Sequence, residues 1–131
     1  MTQEQKDLLL KDLCARLPYK PIVHIDDCGI WDLRGIDHDD SAELRDRVIV
    51  WHGKNYPSSK NSFPIINCKP YLFPLSSMTE EQNLEYLSTC GGGNAYCQTS
   101  KTSDWCNQNH FDYRGLIPMG LAIDATGLNI Y

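Results

Sequence analysis

Apolar and polar positions alternate along this chain in several distinct rhythms, and each rhythm predicts a different element. Leu9, Leu10, Leu13, Cys14 and Leu17 recur at three- and four-residue spacings, with Lys6, Asp7, Lys11, Asp12 and Arg16 assigned to the other side, which predicts an amphipathic helix. Thr2 and Gln5 stand three apart at its start, the spacing of a reciprocal capping box, and Pro18 marks its end. From Lys20 the rhythm shortens. Ile22, Val23 and Ile25 predict a strand, with a second strand from Gly29 to Leu33 pairing with it after a turn at Asp26, Asp27 and Cys28. Val48, Ile49, Val50 and Trp51 predict a third strand covered on both faces.

The later half is less regular. Residues 53–62 are rich in Gly, Asn, Pro, Ser and Lys and read as a mobile surface loop. Residues 63–68 and 71–75 predict two short strands, which Pro64, Pro70 and Pro74 push toward sheet edges because proline has no ladder donor. Ser77 with Glu80 and Thr79 with Gln82 offer overlapping caps for a helix over residues 79–88. Gly91, Gly92 and Gly93 end it, and residues 89–103 read as a second flexible loop. Ser103 is placed to cap a short helix through Trp105, order resumes at His110, and residues 120–124 and 128–131 predict a terminal hairpin.

These elements carry no internal repeat, no repeated βαβ unit and no linker between two cores. The expected fold is a single α+β domain over residues 1–131, with a mainly antiparallel sheet of about four to six strands packed against two or three helices. A chain of 131 residues, 41% apolar and 22% charged, fits one core. The N-terminus has neither the basic start nor the apolar run of an export signal, and no stretch approaches the roughly eighteen apolar residues of a membrane span. These features predict a cytoplasmic protein with reduced thiols.

Charge narrows the partners. Twelve Lys and Arg against seventeen Asp and Glu give a net charge of −5, which disfavours duplex nucleic acid. Eight of the carboxylates (Asp26, Asp27, Asp32, Asp37, Asp39, Asp40, Glu43 and Asp46) fall in one stretch with only Arg34 and Arg45, read as a solvated acidic loop.

Several groups bear on chemistry. Cys90, Cys97, Cys106 and His110 are zinc-type ligands, but six residues separate the first pair, where structural zinc sites use about two to four, so unrelated thiols are the preferred reading. His24 with Asp26 and Asp27, or His38 with Asp39 and Asp40, would suit a metal-assisted hydrolase, although neighbours on a strand face opposite ways. The glycines at 91–93 with Asn94 resemble an anion nest but lack the strand, helix and lysine of a phosphate loop. The expectation is therefore no metal and no cofactor.

The densest chemistry lies between Trp105 and Ile117. Trp105, His110, Asp112, Tyr113 and Arg114 form the candidate ligand-binding set, in which Arg114 would hold an anion and the rings would stack on a flat ligand. The competing reading makes them structural: Asp112 caps the turn that follows, Arg114 pairs with a carboxylate, and the rings build core.

The string from Lys69 through Tyr71, Leu72, Phe73 and Pro74 to Ser77, Met78, Thr79, Glu80 and Glu81, then Asp104 and Trp105, then the run from His110 to Ile117 and Gly120 to Ala122, resembles a group of short uncharacterised proteins encoded by phages and prophages of Bacteroides-type gut bacteria. The resemblance covers the first helix and most of the C-terminal half. It implies a small phage-type accessory protein acting in a bacterial cytoplasm and brings no established activity. The leading expectation is a non-enzymatic protein that binds a host protein or other partner; a binder of a small anionic ligand such as a nucleotide comes second, and a metal-assisted hydrolase third.

Overall fold

A computed structural model describes residues 2–37, 47–51, 60–89 and 100–131. The order of elements is α1 (Gln3–Arg16), β1 (Ile22–Ile25), β2 (Gly29–Asp37), β3 (Arg47–Trp51), β4 (Lys60–Pro64), β5 (Cys68–Pro74), α2 (Glu80–Thr89), α3 (Ser100–Gln108), β6 (Phe111–Asp112) and β7 (Ile123–Asp124). The α+β fold is as the sequence predicts. Among the described residues, seven strands form one sheet in the order β4-β3-β2-β1-β5-β6, with β7 also on β5. All pairings from β4 to β5 are antiparallel, and only the two-residue strands β6 and β7 join parallel.

α1 begins with the capping box read from sequence: the Gln5 amide donates to the Thr2 hydroxyl and the Thr2 amide to the Gln5 side chain. Its buried stripe differs from the expected one. Leu9, Asp12, Leu13 and Arg16 are fully enclosed, while Cys14 is exposed. These four stand at i, i+3, i+4 and i+7, so the helix turns an ion pair into the core along with two leucines.

β1 and β2 form the expected hairpin. Its turn places Asp27 and Gly29 at φ +64° and +86°, and the Cys28 amide closes it on the Ile25 carbonyl. β2 runs on to Asp37, so part of the acidic stretch is strand rather than loop. A register shift between Leu33 and Gly35 lets Leu33 and Ile36 both take up positions against the buried valines Val50 and Val48. Residues 38–46, which hold His38, Asp39, Asp40 and Glu43, lie outside the described residues.

β3 buries Val48 and Val50 but leaves Ile49 half-buried, so it is covered fully on one face only. Loop boundaries also shift. β4 starts at Lys60 and α3 at Ser100, which converts the ends of the two expected loops into a strand and a helix; residues 52–59 and 90–99 lie outside the described residues. Residues 65–67 form a 3-10 turn between β4 and β5.

The proline-bearing β5 lies inside the sheet, not at its edge. β1 pairs with Cys68, Lys69 and Pro70, and the strand then changes partners, taking β7 at Tyr71 and Leu72 and β6 at Phe73 and Pro74. Short consecutive partners tolerate the missing proline donors better than one unbroken ladder would. Because β7 pairs in parallel with β5, no terminal hairpin forms; the Leu128 amide instead closes a turn on the Ala125 carbonyl. The core gathers Leu9 and Leu13 of α1, Val23, Ile25, Leu33, Val48, Val50, Cys68 and Leu72 of the sheet, and Leu116, Leu121 and Ala122 from the later turns.

Candidate functional site

The five residues singled out by sequence surround β6, but they face different ways. Arg114 turns toward α1. Its Nε donates to the Asp12 carboxylate at 3.1 Å, and its Nη2 donates to the Tyr113 hydroxyl at 2.8 Å. The guanidinium lies 4.7 Å from the centre of the Tyr113 ring. The other carboxylate oxygen of Asp12 accepts from Arg16 Nε at 2.8 Å, and Arg16 Nη2 donates to the Phe111 carbonyl at 2.7 Å. One buried carboxylate thus joins two guanidiniums, and the second of these holds the backbone of β6.

Asp112 points into its own turn, where its two oxygens accept the Leu116 and Ile117 amides at 2.9 Å each. This is the capping role weighed in the sequence. Trp105 faces α2 and the sheet: its ring stacks on Phe111 with centroids 5.5 Å apart and planes within 5°, meets Tyr86 at 5.9 Å, and donates from Nε1 to Glu85 at 3.3 Å.

His110 adopts φ +64°, with its carbonyl accepting the Phe73 amide. Its ring stacks on Tyr131 with centroids 3.6 Å apart, and the Tyr131 hydroxyl is held by the backbone of β1 and β5, taking the Ile22 amide and donating toward the Tyr71 carbonyl. Burial, reinforced by the nearby Arg16 charge, pushes the His110 imidazole down to about 4. Burial likewise pushes the Tyr131 phenol up to about 12. Among the described residues, His110 Nδ1, Arg16 Nη1 and Asn107 Oδ1 are buried side-chain atoms with no hydrogen-bond partner.

The other candidates are placed as follows. Cys106 is buried on α3 four residues before His110, while Cys90 and Cys97 lie outside the described residues, as does the glycine run at 91–93. His24 Nδ1 lies 3.2 Å from the Tyr71 hydroxyl, and Asp26 and Asp27 are exposed in the hairpin turn. Among the described residues no three His, Cys, Asp or Glu side chains are placed to hold one metal ion. Cys68 is enclosed, and burial first, then the Asp26 carboxylate, push its thiol up to about 12.

Two concavities involve residues that the sequence reading did not select. A recess of about 180 Å³ is lined by Phe73, Ser77, Gln82, Phe111, Thr126 and Gly127. A wider cleft of about 430 Å³ is lined by Lys20, Ile22, Asp32 and Arg34. The recess gathers side chains from segments far apart in the chain, whereas the cleft lies across the β1–β2 hairpin and its approach. The signal for the buried pair was present: Asp12 and Arg16 fall in the same three- and four-residue rhythm as Leu9 and Leu13.

No family model, curated protein or solved structure matches the chain. No helix among the described residues is long and apolar enough to cross a membrane.

Proposed function

We propose that this is a non-enzymatic, phage-type accessory protein of the bacterial cytoplasm that acts by binding a protein partner. The observation that carries the reading is the use of the chemically richest residues for internal bonds: Arg114 on Asp12, Asp112 on two amides, Trp105 on Phe111 and His110 on Tyr131. Side chains committed in this way position a surface rather than a reacting group. The phage context rests on the sequence resemblance.

The surface best suited to a partner is α2. It has no buried residue, Leu84 is 68% exposed, and Glu80, Glu81 and Glu85 are exposed around it. An exposed leucine within a ring of carboxylates fits an apolar spot bordered by basic side chains. Affinity capture from host cells, followed by reconstitution with the purified partner, tests the reading. Binding is expected to fall at least about tenfold in Leu84→Glu and in Glu81→Lys and to persist in Lys20→Ala. Turnover of a substrate, lost on replacing one histidine or cysteine without loss of folding, would contradict it.

A second reading is favoured by one observation, the cleft in which Lys20 and Arg34 stand with Asp32 between β1 and β2. Two cations against one carboxylate suit a small anion, although Arg34 already lies 3.7 Å from Asp32. Thermal stabilisation by nucleoside phosphates that disappears in Lys20→Ala would favour this reading over the first.

A further inference from the structure

We propose that the recess beside the start of α2 receives a tyrosine side chain of a partner polypeptide, one flanked by lysine or arginine. The inference rests on the protein-binding reading above and names the anchor that such a partner would insert.

The floor is aromatic. Phe73 and Phe111 meet with centroids 6.0 Å apart at 54°, and Trp105 stacks behind Phe111, so a ring entering the recess finds a stiff apolar base. All six lining residues are uncharged, which makes the interior unsuitable for a phosphate, a carboxylate or an ammonium group. At about 180 Å³ the recess is smaller than the roughly 300 Å³ at which small-molecule pockets usually begin, and matches a single anchoring side chain better than a free ligand.

The polar rim selects tyrosine over phenylalanine. Gln82 spends its side-chain oxygen on the Thr79 amide, the return bond of the α2 capping box, which leaves its Nε2 hydrogens as donors with no partner among the described residues. Ser77 donates its hydroxyl hydrogen to the Pro74 carbonyl, and its oxygen keeps lone pairs for a donor. A phenol can accept from Gln82 Nε2 and donate to Ser77 Oγ, whereas a phenyl ring makes neither of these bonds.

Charge outside the recess sets the flanking residues. Glu80 and Glu81 adjoin Gln82, Asp124 lies two residues before Thr126, and all three are exposed. A tyrosine bordered by cations places opposite charge against them.

The test is a titration of the intact, nitrogen-15-labelled protein with the peptide acetyl-Lys-Lys-Tyr-Lys-Lys-amide, followed through amide shifts. Saturable shifts are expected at Ser77, Thr126 and Gly127 and at the Gln82 side-chain amide. Affinity should fall about tenfold when alanine replaces the tyrosine, and fall when phenylalanine replaces it or glutamates replace the lysines. Thr126→Trp, which fills the recess, should abolish the shifts; the peptide series decides the matter even if that variant does not fold. Equal binding of the alanine peptide, no shift at millimolar peptide, or shifts centred on Lys20 and Arg34 would overturn the proposal. So would p-cresol binding as tightly as the peptide, which would indicate a small-molecule guest. If these results fail while Leu84→Glu still releases a protein partner, the tyrosine anchor falls and the protein-binding reading stands; loss of both removes both.

Discussion

Asp12 and Arg114 meet at 3.1 Å although 102 positions separate them along the chain. The contact ties the first helix to the turn after β6, and Arg16 reinforces it by bonding both Asp12 and the Phe111 carbonyl. Asp12 and Arg16 are fully enclosed, and Arg114 retains only 17% side-chain exposure. Isolated buried charges are costly, so each member of this group depends on the others. Of the two roles the sequence offers Arg114, holding an anion or pairing with a carboxylate, the Asp12 contact is the second.

Removing the shared carboxylate should be the most damaging change in the brace. Asp12→Ala leaves Arg16 buried without its ion-pair partner, and a loss of about 3–5 kcal/mol is expected in urea unfolding. A loss below about 1 kcal/mol would show that solvent reaches Arg16 in the folded protein.

Asp112→Ala removes the acceptor for the Leu116 and Ile117 amides. The expected cost is about 1–3 kcal/mol, with hydrogen exchange rising first at those two amides. Asp112→Asn keeps one acceptor oxygen and should recover part of the loss.

Acid should weaken the fold through His110. Its folded-state value is pushed down to about 4 from an ordinary 6.5, by burial and then by Arg16, so the unfolded chain binds the proton more readily. The stabilisation is present above about pH 6.5 and is lost as pH falls toward 4, on the order of 1–2 kcal/mol after allowance for partial solvent screening. His110→Phe, which keeps a ring against Tyr131, should flatten this part of the stability profile. An unchanged profile would show that another group sets it.

Alkylation should separate the thiols. Cys28 is exposed and should react in the native protein, whereas Cys68 is enclosed with its thiol pushed up to about 12. Mass spectrometry after iodoacetamide treatment should find Cys68 modified only once the chain is unfolded. Because its folded value exceeds the unfolded 9.0, its contribution to stability holds below about pH 9 and is lost as pH rises toward 12.

Local signals in the sequence carry much of this architecture. The caps at Thr2 and Thr79, the β-branched run of β3 and the hairpin turn at Asp27 each act within a few residues, and their elements form where those signals lie. What escaped was set by distant partners. Pro70 and Pro74 suggest an edge, but β5 is enclosed because β1, β6 and β7 divide its length. Residues 128–131 suggest a strand, but the Tyr131 hydroxyl bonds across to β1 and β5. The candidate site was legible as a set of neighbours, with Asp112 as a cap among its possible roles. That Arg114 would find Asp12 could not be read from spacing, because a charged residue on a helix is ordinarily solvated. The recess was less visible still, since Phe73, Gln82, Phe111 and Thr126 converge only after β5, α2 and the later turns have packed.

A double-mutant cycle between Asp12 and Arg114 addresses the brace directly. Arg114→Ala, Asp12→Asn and the double variant would be compared by urea unfolding at neutral pH. An internal brace predicts that Arg114→Ala alone destabilises the fold and that the two sites couple by about 1 kcal/mol or more. Additive losses, with Arg114→Ala leaving stability unchanged, would mean that Arg114 is held for a ligand and would contradict this account.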